Sequence, residues 1–330
     1  MIFNLNFKLM MNENCEFTVA IPTYNGEKRL PQLLDALKNQ VNIENINWEI
    51  IVVDNNSTDN TAKVIENYQK NWHFPYPLKY CFEEKQGAAY ARGHAVKEAK
   101  GELIGFLDDD NYPVSNWVAA AYVFSKIHPQ AGAYGSQIHP EWEVEPPKNF
   151  HRVAPFLAIT ERGNFPLLYE PQKRLLPPSA GLVIRRQTWL ESIPKHSILT
   201  GRVYNNMLTS EDLEMLSYIQ KAGWEIWYNP EMEIYHKIPN FRLEPEYLIP
   251  FFQGIGLSRY VTRMVNVKPW NKPIIFLAYM FNDLRKIILH LLIYRTKLRS
   301  DLVAACEIQL FISSFISPFY LWKNGYFNLK

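Results

Sequence analysis

Leu103-Ile104-Gly105-Phe106-Leu107-Asp108-Asp109-Asp110-Asn111 passes from five apolar positions straight into three carboxylates. The apolar half reads as a strand buried on both faces, and the acidic half as the turn leaving it. The same pattern recurs upstream. Residues 17–21 form a short apolar, β-branched run, and Pro22 is expected to end it because proline cannot donate to a ladder hydrogen bond. Residues 48–53 and 78–82 read as two further strands.

Helical spacing fills the intervals. Leu30, Leu33, Leu34 and Leu37 place a helix within 26–40. Residues 58–69 form a second, with Ser57 or Thr58 as N-cap, and the Ala-rich stretch 86–100 a third. A fourth is expected over 115–126. Apolar strands alternating with helices imply an α/β fold with a Rossmann-type, mostly parallel central sheet covered on both faces. Ligands bind such sheets at the carboxyl ends of the strands. Three polar clusters fall on that edge: Thr23-Tyr24-Asn25, Asp54-Asn55-Asn56-Ser57 and Asp108-Asp109-Asp110.

From about residue 132 the pattern loosens. Residues 141–178 are expected to form long loops, 180–184 a strand, 210–221 a helix, and 225–228 and 232–235 short strands. Beyond residue 241 the chain reads as helical, aromatic and basic, so we divide it into 1–240 and a C-terminal helical extension, 241–330.

Bulk properties exclude several classes. The 330 residues are 47% apolar, enough for a sizeable core, and the formal net charge is +2. No long basic stripe marks the first two thirds, so nucleic acid is a poor partner. Cys15, Cys81 and Cys306 are three, widely spaced and outside any CxxC, which argues against a disulfide framework or zinc ribbon and fits a reducing cytoplasm. The first 15 residues lack a long apolar core and a small-residue cleavage site, so no secretory signal is expected.

Three adjacent carboxylates repel one another unless a cation is shared. Hard oxygen donors suit Mg2+ or Mn2+, whose remaining positions go to water and substrate phosphates. The competing reading is an acidic turn capping the next helix. Asp54 could accept from a base or ribose, or could simply start an Asx turn. Glu211-Asp212 opens a helix, where carboxylates are favoured by the macrodipole, or supplies a general base. Arg92 is an exposed helix charge or a contact for phosphate or base. His236 is a structural histidine or a metal ligand.

Taken together, Val19 to Asn25, Ile51 to Asp59, Gln86 to Arg92 and Phe106 to Asp110 resemble the ordered signature of family-two glycosyltransferases. Gly181, Arg185, Glu211-Asp212, Gly223 to Ile226 and Glu233 to His236 resemble its later motifs, so the likeness covers about 16–240. Asp54 to Ser57 and residues 141–178 resemble the cyanobacterial hormogonium-polysaccharide glycosyltransferases within it. The resemblance implies a GT-A fold and an inverting, metal-dependent transfer from a nucleotide-diphosphate sugar, a UDP-sugar, to a polysaccharide or lipid-linked acceptor. Carried over by position, Pro22, Thr23, Tyr24, Asp54, Arg92, Asp108 and Asp109 would hold the nucleotide-sugar. Asp110, with Asp108 and His236, would hold Mg2+ or Mn2+, Asp212 would be the base and Glu211 its neighbour. Two departures stand out: Gly93 where the family often has Asn, and Thr200 to Asn205 where it often has a Gly-Gly-Phe-Asp-like stretch.

Other functions fit less well. Pro22-Thr23-Tyr24-Asn25-Gly26 is not the Gly-rich phosphate loop of a sugar-phosphate nucleotidyltransferase, and no GxGxxG follows the first strand. A non-catalytic polysaccharide-assembly scaffold stays open, although every acidic position is intact. Residues 274–294 and 302–322 are apolar and aromatic, separated by Arg295, Lys297 and Arg299. Charges and Pro318 interrupt them, which favours helices lying on the inner face of the plasma membrane over a true span; a helical cover or dimer contact is the third reading.

Overall fold

The structure, a computed structural model, describes residues 15–173, 175–194, 197–201 and 208–327. The expectations for residues 1–14 and for Arg202, Val203, Tyr204 and Asn205 lie outside these residues. The chain runs β1 (Phe17–Thr23), α1 (Leu30–Lys38), β2 (Trp48–Asp54), α2 (Thr61–Lys70), β3 (Leu78–Phe82), α3 (Ala88–Glu98), β4 (Leu103–Phe106), β5 (Asn111–Pro113) and α4 (Trp117–Ile127). It continues with β6 (Ala131–Trp142), β7 (Leu167–Leu168), β8 (Val183–Arg185), α5 (Arg186–Ser192), α6 (Glu211–Lys221) and β9 (Glu225–Ile238). Three long helices follow: α7 (Pro245–Met264), α8 (Lys272–Tyr294) and α9 (Leu302–Lys323).

The sheet order is β3-β2-β1-β4-β8-β6-β9-β5, with β7 on β9. The first four strands are parallel, as their apolar runs foretell. Side chains alternate between two cores. Phe17, Val19, Ile21, Trp48, Ile50 and Val52 enter the core under α1, α2 and α4. Ala20, Ile51 and Val53 enter the opposite core with α3 and α6.

The expected central sheet flanked by helices is present, and past β4 it is mixed, because β8 runs antiparallel to both β4 and β6. Two narrower expectations fail. Strand β1 passes through Pro22 to Thr23 instead of ending before it. The Leu107 amide donates to Ala20 O and the Asn55 amide to Thr23 O. Alternate residues of a parallel strand face alternate neighbours, so Pro22 turns its nitrogen toward β4, which has already ended at Phe106. No ladder bond is lost.

The second failure is the 12-residue β6, read as loose sequence. Its small residues answer close approach: a Cβ on Gly132 would meet the Trp224 side chain at 2.6 Å, and one on Gly135 would meet Pro177 at 2.5 Å. Its partner β9 is continuous where two strands were expected. The register slips from Ser136/Asn229 to Gln137/Glu233, so Pro230 sits in a bulge where no ladder donor is needed.

The C-terminal helices share a core with residues 150–157. Phe150, Val153 and Ile238 pack with Phe252 of α7 and Val303 and Leu310 of α9. This core roofs the carboxyl edge of the sheet. Gly105, in β4, is filled from the other side: an added Cβ would stand 2.6 Å from Trp117 and 2.9 Å from Phe17, both fully buried. Gly105→Ala is expected to destabilise the fold by about 1–3 kcal/mol, read as a lowered urea midpoint at unchanged m-value.

Candidate functional site

β1, β2 and β4 end on one edge, and each delivers its polar cluster there. The three consecutive carboxylates do not share one cation; each faces a different arginine. Asp108 stands 3.4 Å from Arg92 of α3. Asp109 accepts from Arg29 Nε at 2.6 Å and Arg29 Nη2 at 2.9 Å, and from Thr23 Oγ1 at 2.5 Å. Asp110 accepts from Arg242 Nη2 at 2.8 Å, in the turn after β9, and lies 3.6 Å from His236 Nε2. Asp109 was expected among the nucleotide-sugar contacts. The structure turns it back onto Arg29 and Thr23, where it braces the end of β1.

Asp54 stands behind the wall. Its carboxylate accepts from the Ser57 amide at 2.9 Å, an Asx turn, and from Tyr80 OH at 3.0 Å. The next residue, Asn55, lines the cleft and holds the loop into α3: its amide donates to Lys85 O at 2.8 Å and its oxygen accepts from the Gly87 amide at 2.8 Å.

Glu211 and Asp212 open α6, after Ser210 in a left-handed conformation, φ 73°. That conformation is uncommon for serine and aims the start of the helix into the cleft. Asp212 accepts from the Ser179 amide at 3.0 Å and from the Leu213 amide at 2.8 Å. Burial, and then the adjacent Glu211 carboxylate, push its pKa up to about 6. Arg92 Nη1 donates to Glu211 at 2.8 Å, so one buried guanidinium ties the acidic turn to the start of α6. Burial weakens the Arg92 charge, but Asp108, Glu211 and Asp212 outweigh it and hold its pKa raised.

Pro22, Thr23, Tyr24, Arg92, the three aspartates, Glu211, Asp212 and His236 all line one cleft of about 1390 Å³. Carboxylates from separate segments therefore meet at one opening. Asn55, of the second polar cluster, also lines it, as do Arg29 and Arg242, which were not foreseen. Arg242 follows His236 by six residues without a motif; its partner Asp110 is a contact only the folded chain reveals.

Among the described residues no cluster of three or more His, Cys, Asp or Glu side chains is set to hold a metal. Asp110 and His236 nevertheless lie side by side, and burial of Asp110 is outweighed by His236, Arg242 and Arg29, which hold its pKa well below the usual range. One ionised oxygen donor and one imidazole fit a Mg2+ or Mn2+ ion whose other ligands are phosphate and water. Asp108, expected as a third ligand, is turned toward Arg92 instead. His236 Nδ1 is buried without a hydrogen-bond partner, while Arg242 Nη1 is 3.0 Å from Nε2.

The family described as Glycosyl transferase family 2 matches residues 18–191. Over 113 residues the chain is 34% identical to the poly(ribitol-phosphate) β-N-acetylglucosaminyltransferase TarS of Staphylococcus aureus, covering 34% of this chain and 19% of that protein. Over 178 residues it is 22% identical to the glucosyl-dolichyl phosphate glucuronosyltransferase of Haloferax volcanii, covering 53% and 56%. The chain thus spans well under two thirds of these relatives' length. Among solved structures, S. aureus TarS 1–349 with UDP-GlcNAc superimposes with a TM-score of 0.52 at 18% identity, covering 94% and 92%. The mannosyltransferase PcManGT of Pyrobaculum calidifontis, with GDP-Man and Mn2+, gives 0.57 at 18% identity, covering 91% and 86%. At such identities the likeness shows a shared fold.

Proposed function

We propose, from the premise that this chain belongs to Glycosyl transferase family 2 and has the GT-A fold, that it transfers a sugar from a nucleotide-sugar, with inversion, to a hydroxyl of a polysaccharide or lipid-linked acceptor. One observation carries the reading: Asp110 with His236, and Asp212, open onto the same cleft. In this reading residues 1–240 bind donor and catalyse, and 241–330 form the helical region. The donor is a UDP-sugar. The narrower likeness to hormogonium-polysaccharide enzymes rests on Asp54 to Ser57 and residues 141–178 alone.

The chemistry follows from the side chains. Asp212, ionised, accepts the proton of the acceptor hydroxyl. The hydroxyl oxygen bonds the anomeric carbon as the bond from that carbon to the diphosphate oxygen breaks. A single displacement inverts the centre. Negative charge grows on the leaving diphosphate, and Arg242 lies at that end of the cleft to oppose it. Asp110 and His236 are the residues that would hold Mg2+ or Mn2+, which when bound neutralises diphosphate charge. Tyr24, exposed at the rim, offers a ring to the nucleoside.

The reading extends to a membrane surface. In α8 the side chains Ile274, Leu277, Phe281, Leu284, Ile288 and Leu291 recur every three or four residues, and all are exposed, Ile274 at 70% and Phe281 at 72%. Ile312, Ile316, Phe319 and Trp322 of α9 continue the patch. Asp283 and Glu307, the acids of these helices, are turned inward onto Arg263 and Arg152. Exposed Lys268, Lys272, Arg285, Arg295, Lys297 and Lys323 surround it, a pattern suited to anionic lipid. α9 is long and apolar enough to cross a bilayer, but it packs Val303, Cys306 and Leu310 into the shared core.

Four outcomes test this. Release of UDP from UDP-sugars in the presence of acceptor is expected, and Asp212→Asn should lower kcat by about 10²–10⁴-fold with donor KM unchanged; parallel loss of donor binding would count against the base. Because Asp212 works ionised and its pKa lies at about 6, kcat should rise tenfold per pH unit below about 6 and level above it; a limb near pH 4, where an ordinary aspartate titrates, would refute that environment. Asp110→Ala should abolish the Mn2+ dependence of donor binding in calorimetry, and an unaltered Mn2+ titration would remove Asp110 from the metal site. For the membrane, flotation with vesicles containing phosphatidylglycerol is expected, with Phe281→Asp reducing it; a soluble dimer that ignores vesicles would reject the surface.

A further inference from the structure

The cleft does not stop at Asp212. It continues beneath α7, and its lining changes from carboxylate to apolar: Phe156 and Leu157 face Phe251 and Ile255 there. At that end the wall turns cationic. Arg263 is held by Asp283 of α8 through two bonds, one from Nη2 to Oδ1 at 2.9 Å. Arg259 forms no ion pair among the described residues. Its Nη1 is 3.5 Å from the Ser314 hydroxyl and its guanidinium lies 6.0 Å from the Phe156 ring centre.

Burial, and then Arg263, push the Arg259 pKa down to about 10, so the group remains charged at neutral pH. Lys286 is likewise held low by burial and by Arg259. Arg259, Arg263 and Lys286 thus share one carboxylate, and two positive charges lack an anion. A desolvated, unpaired guanidinium in a cleft is costly unless a ligand completes it. A phosphate monoester carries close to two negative charges and matches the guanidinium fork.

This end is tied to the chemistry. The Thr209 amide, three residues before Asp212, donates to Ser258 Oγ at 3.2 Å, next to Arg259 in sequence. Arg259 and Asp212 line the same cleft.

We propose that Arg259 is the seat of an acceptor phosphate, and that the apolar wall of α7 beside it receives the chain bearing that phosphate. The inference rests on the transferase reading for the word acceptor, and deepens it by naming the acceptor's chemistry. The wall favours a lipid-borne phosphate over a soluble polyol phosphate.

The test is calorimetric binding of octyl phosphate, octyl glucoside and glycerol 3-phosphate to the full chain. Octyl phosphate is expected to bind and octyl glucoside not. Arg259→Gln should weaken octyl phosphate by about 10- to 100-fold, Arg259→Lys should recover part of it, and the thermal midpoint of the free Arg259→Gln chain should be no lower than that of the unaltered chain. Tighter binding of octyl phosphate than of glycerol 3-phosphate supports a lipid source, and equal binding a soluble one; both uphold the phosphate seat. Octyl phosphate binding no tighter than octyl glucoside in the unaltered chain overturns the proposal, as does unchanged binding in a folded Arg259→Gln chain. These readouts involve no sugar transfer, so a failed donor assay would sink the transferase reading and leave them standing.

Discussion

Three carboxylates in succession at the end of a buried strand must each find a positive partner, and much of the site's arrangement follows from that requirement. The repulsion between Asp108, Asp109 and Asp110 is relieved by three arginines from three distant parts of the chain. Arg29 draws in the loop after β1. Arg92 draws in α3 and, through Glu211, the start of α6. Arg242 draws in the turn that leads from β9 to the C-terminal helices. The electrostatic demand of one turn thus gathers the loop after β1, the start of α6 and the entry to the C-terminal helices around a single opening. Because the pairs are largely buried, removing one partner would leave an uncompensated charge, which is far costlier than losing an exposed salt bridge.

The cleft that results is graded. Its inner end is acidic, with Asp110 held ionised by His236 and Arg242 and Asp212 held weakly acidic by burial and Glu211. Two carboxylates of one cleft therefore lie on opposite sides of the ordinary aspartate pKa, which suits one to binding charge and the other to moving a proton. The other end is apolar and cationic, and Tyr279 of α8 lines it. In the proposed reading a donor diphosphate takes the acidic end and an amphiphilic acceptor the apolar one.

Where reading along the chain went astray, the cause was contact rather than propensity. Gly132 and Gly135 look like breakers, yet they are small because Trp224 and Pro177 press against them, so β6 was passed over. Pro22 looks like a strand end, yet its missing donor points past the end of β4. Asp109 lines the cleft, and its pairing there with Thr23 and Arg29 could not be read from the sequence.

Local pattern was enough for the four parallel strands, their covering helices, and the edge on which Thr23 to Asn25, Asp54 to Ser57 and Asp108 to Asp110 would gather, because period and turn chemistry act over a few residues; Glu211-Asp212 joined them only through the family likeness. The family likeness was legible for the same reason, since its motifs are short and ordered. Folding in three dimensions decided the rest: the antiparallel half of the sheet, which arginine answers which aspartate, the meeting of Asp110 with Arg242, and the unpaired charge of Arg259. These depend on residues far apart in the chain coming within a few ångströms, and charge pairing over such separations leaves no periodic trace in one sequence.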